Sequence, residues 1–113
     1  MKLPNADQAV VEQEKIVEYL LNLQHRFGGS KARFFGQFGF SPEEWVVLAD
    51  ALREDGRRSE VSKGKETGFG PHYKVEGGSL CPDGRCPRVR TVWQMDKGQI
   101  TPRLITAYPV EEL

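Results

Sequence analysis

Apolar residues fall into two different periods along the chain. From about Glu12 to Leu23 the positions Ile16, Tyr19, Leu20 and Leu23 recur at i, i+3, i+4 and i+7 with charges between them, which predicts an amphipathic helix. Ala9-Val10-Val11 before it reads either as a short edge strand or as the lead into that helix. Gly28 and Gly29 are expected to end the segment by tolerating positive φ. Ser30 then offers a cap to Lys31-Ala32-Arg33-Phe34-Phe35, a short helical turn that Gly36 and Gly39 should close by about Phe38. The next helix is better marked. Ser41 stands as N-cap, Pro42 at the first helical position and Glu44 where a capping box needs it. Trp45, Leu48, Ala49 and Leu52 supply its buried stripe, and Asp55-Gly56 its end.

From Arg57 to Gly70 the chain is polar and glycine-containing, the pattern of a mobile loop. Beyond it the period drops to two. Pro71 to Leu80, Pro87 to Met95 and Pro102 to Val110 alternate and are rich in β-branched and aromatic residues, so each reads as a strand. Asp83-Gly84 and Lys97-Gly98 mark reversals between them. The pattern predicts an α+β fold with two main N-terminal helices plus a short helical turn, packed on a C-terminal antiparallel sheet of three to four strands. A single domain over residues 1–113 is expected.

Composition sharpens this picture in three respects. A chain of 113 residues that is 38% apolar can bury a core without disulfides or metals. No window reaches the run of about 18 apolar residues a membrane helix needs, and the first residues lack an export signal, so a cytoplasmic address is expected. Net charge is zero, yet ten basic residues between Arg57 and Arg103 face five acidic ones, while acids gather on the helices and at Glu111 and Glu112. That distribution is either one positive face presented to an anion or an ordinary scatter of solvated charge.

Several side chains could carry chemistry. Cys81 and Cys86 frame a hairpin loop at C-x4-C; with two distant histidines they do not assemble the four ligands of a zinc site, which leaves two free thiols or, on a third reading, a redox-sensing pair. His25 and Lys31 flank the two glycines, where an imidazole can exchange protons near neutral pH and an ammonium can stabilise an oxyanion. On the last strand, strict alternation puts Arg103, Ile105 and Ala107 on one face and Leu104, Thr106 and Tyr108 on the other. Either Ile105 and Ala107 are core, leaving both hydroxyls open near Arg90, or Leu104 and Tyr108 are core. His72 reads as an exposed edge residue; Trp45 and Trp93 read as core anchors, with base stacking as the alternative.

The strings Lys2-Leu3-Pro4-Asn5-Ala6, His25 with Lys31-Ala32-Arg33-Phe34-Phe35, Gly70-x-x-Tyr73-x-Val75, Val89-x-Thr91-Val92-Trp93 and Pro102 to Pro109 resemble a family of small bacterial proteins catalogued as a domain of unknown function. Its members occur beside a second small protein, as toxin and antitoxin genes do. More distantly, the chain is similar to the ribonuclease superfamily of barnase, EndoU, colicin-type and RelE toxins. That resemblance implies metal-independent RNA cleavage by 2′-hydroxyl attack, with no cofactor. His25 would be base or acid, Lys31 and Arg90 would stabilise the phosphorane, and Thr106 and Tyr108 would hold the phosphate. The expected partners are an RNA substrate and a small cognate antitoxin-like protein. The alternative function is a non-catalytic interaction module: an antitoxin, immunity or adaptor domain.

Overall fold

The structure, a computed structural model, describes residues 1–110; Glu111 and Glu112 lie outside the described residues. A 3-10 turn, Ala6–Gln8, precedes helix α1, which runs over Gln13–Lys15 and continues as a π-helical stretch over Ile16–Leu20. Helix α2 spans Gly29–Gln37, and a 3-10 turn at Pro42–Glu44 leads into α3, Trp45–Arg58. Strands β1 (Val61–Thr67), β2 (Gly70–Gly78), β3 (Arg88–Gln94) and β4 (Arg103–Pro109) follow. They pair antiparallel in the order β1-β2-β3-β4. The α+β architecture expected from the periodicity is the one observed.

The departures are local and have physical causes. Helix α1 ends at Leu20 rather than Leu23. The N–H of Leu21 bonds the carbonyl of Ile16 at 2.8 Å, and this widened turn rotates the stripe, burying Ile16, Leu20 and Leu21 while Leu23 is 63% exposed. Gly28 and Gly29 do not adopt positive φ. They are glycines because of close approach: a Cβ on Gly28 would sit 2.2 Å from the Tyr19 carbonyl oxygen and 2.8 Å from its ring. The short turn after Ser30 is in fact a nine-residue helix capped by Gly28, with Ala32 and Phe35 buried.

Ser41 makes no side-chain cap bond, so the expected capping box does not form and Pro42–Glu44 tightens into a 3-10 turn instead. Helix α3 also runs past Asp55-Gly56 to Arg58. Gly56 is a packing glycine, since a Cβ there would meet the Trp93 ring at 2.9 Å. The predicted loop from Arg57 to Gly70 is the helix end plus strand β1, whose mostly exposed, lysine-bearing sequence lacks apolar alternation because it is an edge strand. The run at Ala9-Val10-Val11 is not a strand: Val10 makes one isolated parallel bridge to Arg103, and the chain then leads into α1.

One apolar cluster fills the space between the helices and one face of the sheet, with Phe35, Ile16, Leu20, Leu48, Leu52, Val75, Val89 and Leu104 around a fully buried Trp93. The Trp93 indole N–H donates to Thr91 Oγ1 at 2.8 Å, so its polar atom is satisfied inside the core. Trp45 is only half-buried at the rim of this cluster and is not an anchor. In β4 the register slips: Val92 pairs with Thr106 but Trp93 with Leu104. Ile105 is the extra residue of a β-bulge. Neither alternation read from the sequence therefore holds in full, because Leu104 and Ala107 are both buried while Thr106 and Tyr108 are both half-exposed.

Candidate functional site

Tyr19, carried on the π-helical stretch of α1, is the centre of a polar cluster at the β4 edge. Its hydroxyl and Thr106 Oγ1 share a hydrogen bond of 2.9 Å. The His25 ring meets the Tyr19 ring edge-on at 4.9 Å between centroids. The ammonium groups of Lys15 and Lys31 lie 5.4 and 5.6 Å from the centroid of the same ring, a cation–π distance. Lys31 Nζ also donates to the Phe27 carbonyl at 3.2 Å. Together with Phe27 and Ile105, the side chains of Lys15, Tyr19, His25 and Thr106 line an open cleft of about 500 Å³.

The turn after α1 fixes the imidazole. Both the Phe27 and the Gly28 N–H donate to His25 Nδ1, each at 3.0 Å. With its Nδ1 lone pair occupied in this way, the neutral ring carries its proton on Nε2. In this arrangement His25 is a hydrogen-bond donor at Nε2. The Nδ1 lone pair becomes available only if the ring releases these two backbone donors.

Arg90 and Tyr108 form a second cluster beside the first. Arg90 is the register partner of Tyr108, and its Nη1 donates to the Tyr108 hydroxyl at 3.3 Å. Its Nε donates to Glu76 Oε1 at 2.6 Å, and Arg88 adds a longer contact of 3.7 Å to the same carboxylate. The bonds to Tyr108 and then Glu76 push the Arg90 guanidinium above its ordinary pKa. Tyr108 lies two residues beyond Thr106, or about 7 Å along a strand.

Three of the five residues singled out in the sequence, His25, Lys31 and Thr106, thus gather round one tyrosine. Arg90 and Tyr108 come close to each other, as expected, but do not line that cleft, and Arg90 is engaged by Glu76. Lys15 and Tyr19 were missed. Tyr19 belongs to the apolar stripe by spacing, and its hydroxyl was the one signal in the sequence of a position other than core. His72, expected at an exposed edge, is half-buried on β2, an interior strand. Both cysteines are free, Cys81 buried and Cys86 exposed; burial, then the nearby Asp83 charge, pushes the Cys81 thiol up to about 11. Among the described residues no group of three or more His, Cys, Asp or Glu is placed to hold a metal. No helix there is long and apolar enough to cross a membrane.

The fold and cleft define a small α+β domain in which a helix-borne tyrosine joins a histidine turn to the edge of a four-stranded meander. The chain belongs to the family described as domain of unknown function (DUF6883), whose model matches residues 2–111. No curated protein is significantly similar to it. Among solved structures it is similar to a chain of the contact-dependent growth inhibition toxin–immunity protein complex from Klebsiella pneumoniae 342, at 16% identity with a TM-score of 0.73, covering 95% of this chain and 97% of that one. At that identity the likeness is one of fold.

Proposed function

We propose that the chain is a metal-independent endoribonuclease of the bacterial toxin type, acting in the cleft between α1 and β4. The observation that carries this reading is the donor set around one opening: the Nε2–H of His25, the ammonium groups of Lys15 and Lys31, and the Tyr19–Thr106 hydroxyl pair. In the reaction the ribose O2′ attacks the adjacent phosphorus, the P–O5′ bond breaks, one proton leaves O2′ and one arrives at O5′. The products are a 2′,3′-cyclic phosphate and a 5′-hydroxyl. Negative charge grows on the non-bridging oxygens, where fixed hydrogen-bond donors stabilise it. His25 donates to such an oxygen while its turn is closed. A proton-transfer role for the same ring is tied to opening of the His25–Gly28 turn. Tyr108, accepting from Arg90, keeps its own hydroxyl hydrogen free for a neighbouring phosphate.

The test is incubation of the purified protein with RNA in excess chelator, with analysis of the product termini. Cyclic-phosphate ends are expected, and His25→Ala or Thr106→Ala should slow their appearance by about 10²- to 10³-fold with an unchanged circular dichroism spectrum. Intact RNA, or cleavage at the wild-type rate in both His25→Ala and Lys31→Ala, would remove the reading. The second reading is a non-catalytic partner of a small antitoxin-like or immunity protein. It is favoured by the fold likeness to a chain from a toxin–immunity complex and by the exposed Val46, Val47 and Leu80 on and beside α3. Salt-sensitive RNA binding without product would favour it.

A further inference from the structure

The basic excess between Arg57 and Arg103 is unevenly neutralised. Arg57 and Arg58 pair with Glu54, Arg85 with Asp83, Arg88 and Arg90 with Glu76, and Arg103 with Asp96. Among the described residues Lys63, Lys65 and Lys74 make no ion pair and no side-chain hydrogen bond. They meet on one face of the β1–β2 hairpin, where Lys63 pairs in register with Lys74 and Lys65 with His72. These four side chains alone line a cavity of about 200 Å³. Like charges directly opposite on paired strands destabilise a sheet, so this face is set up for an anion that the chain itself does not provide. Alternation sends Gly64 and Glu66 of β1 to the opposite face.

Register carries the same face across the sheet to the cleft. Lys63, Lys74, Val92 and Thr106 form one cross-strand row, and Lys65, His72, Gln94 and Arg103 the next. At about 4.8 Å per strand the first row measures roughly 14 Å from β1 to the Thr106 edge, which an extended single strand of nucleic acid crosses in a few nucleotides. In the second row Gln94 is 7% exposed, and its side-chain N–H₂ donor has no acceptor.

We propose that Lys63, Lys65 and Lys74, with His72, hold the phosphate backbone of single-stranded RNA whose scissile phosphate lies in the Tyr19 cleft. This rests on the ribonuclease reading for the direction of the strand, but not for the binding itself. An RNA backbone rather than an acidic protein is favoured because the lysine pocket and the hydroxyl-bearing edge lie on one sheet face at a spacing that repeated phosphates match.

The test uses the full chain carrying His25→Ala, so that the probe survives, and a fluorescent 12-nucleotide single-stranded RNA titrated over a range of salt. Replacing all three lysines by glutamine should reduce the slope of log affinity against log salt by about 2, at about 0.7 per phosphate contact. The pair Lys63→Gln and Lys65→Gln, on the exposed edge strand, should give about two thirds of that and guards against misfolding of the triple variant. Length-matched polyglutamate should compete poorly. An unchanged slope, competition by polyglutamate as strong as by RNA, or no RNA binding would each overturn the proposal. With the histidine restored, cleavage of long RNA that is indifferent to the lysine substitutions would remove the track and leave the cleavage reading standing; a reduced slope without any cleavage would do the reverse.

Discussion

Asp55 offers the most direct test of how the core tolerates charge. It lies on α3 with 1% of its surface exposed. One carboxylate oxygen accepts a bond from the Ser79 hydroxyl, the other has no hydrogen-bond partner, and the Arg58 guanidinium stands 3.8 Å away. Burial outweighs the lowering by Ser79 and Arg58 and pushes the carboxyl up to about 7. The folded state therefore holds the proton more tightly than the unfolded chain, whose aspartates titrate near 3.9. The stability associated with this group is full below about pH 4 and is lost progressively as pH rises to about 7, above which the penalty is constant. At 1.36 kcal/mol per pKa unit the whole penalty is about 4 kcal/mol, of which about 3 kcal/mol accrues between pH 5 and pH 8. Asp55→Asn keeps the shape and removes the titration. Its own cost, an amide N–H₂ without an acceptor, is about 1–3 kcal/mol at every pH, so the difference between the two profiles is diagnostic. Urea unfolding at pH 5, 6.5 and 8 should show the wild type losing about 3 kcal/mol relative to the variant. Parallel profiles would refute the argument.

Three further expectations follow from named contacts. Gly56→Ala should lower stability by about 1–3 kcal/mol, because overpacking against Trp93 exceeds the gain of about 1 kcal/mol in helix propensity; a raised melting temperature would show that Trp93 yields. Tyr19→Phe removes the bond to Thr106 and should cost about 1 kcal/mol in stability, and on the proposed ribonuclease reading it should also lower RNA cleavage; kinetics matching the wild type would exclude the hydroxyl from the cleft's chemistry. Under native conditions a thiol reagent should modify Cys86 quickly and Cys81 slowly, with both reacting at similar rates in denaturant; two fast equivalents in the folded protein would contradict the burial of Cys81.

The sequence made visible whatever depends on period and turn chemistry. The change from helical to alternating spacing located the sheet, and Gly84 and Gly98 adopt the positive φ that the Asp-Gly and Lys-Gly reversals require. It hid whatever depends on tertiary contact. Strand β1 has no apolar alternation to betray it. Glycines 28 and 56 look like helix terminators, and only the neighbouring Tyr19 and Trp93 reveal that they are spacers. The candidate site was half legible for the same reason. His25, Lys31 and Thr106 stand out by type, whereas the residue joining them is a tyrosine in an apolar stripe, moved to the rim by one π-turn.

The extra residue in β4 separates two jobs that a regular strand would bind together. Because Ile105 absorbs the mismatch, Leu104 and Ala107 stay with the interior while the wall of the opening can lengthen, shorten or re-aim nearby. Removing Ile105 would restore plain alternation with the same inward residues, so the side chain at this position can change without unsettling the hydrophobic interior.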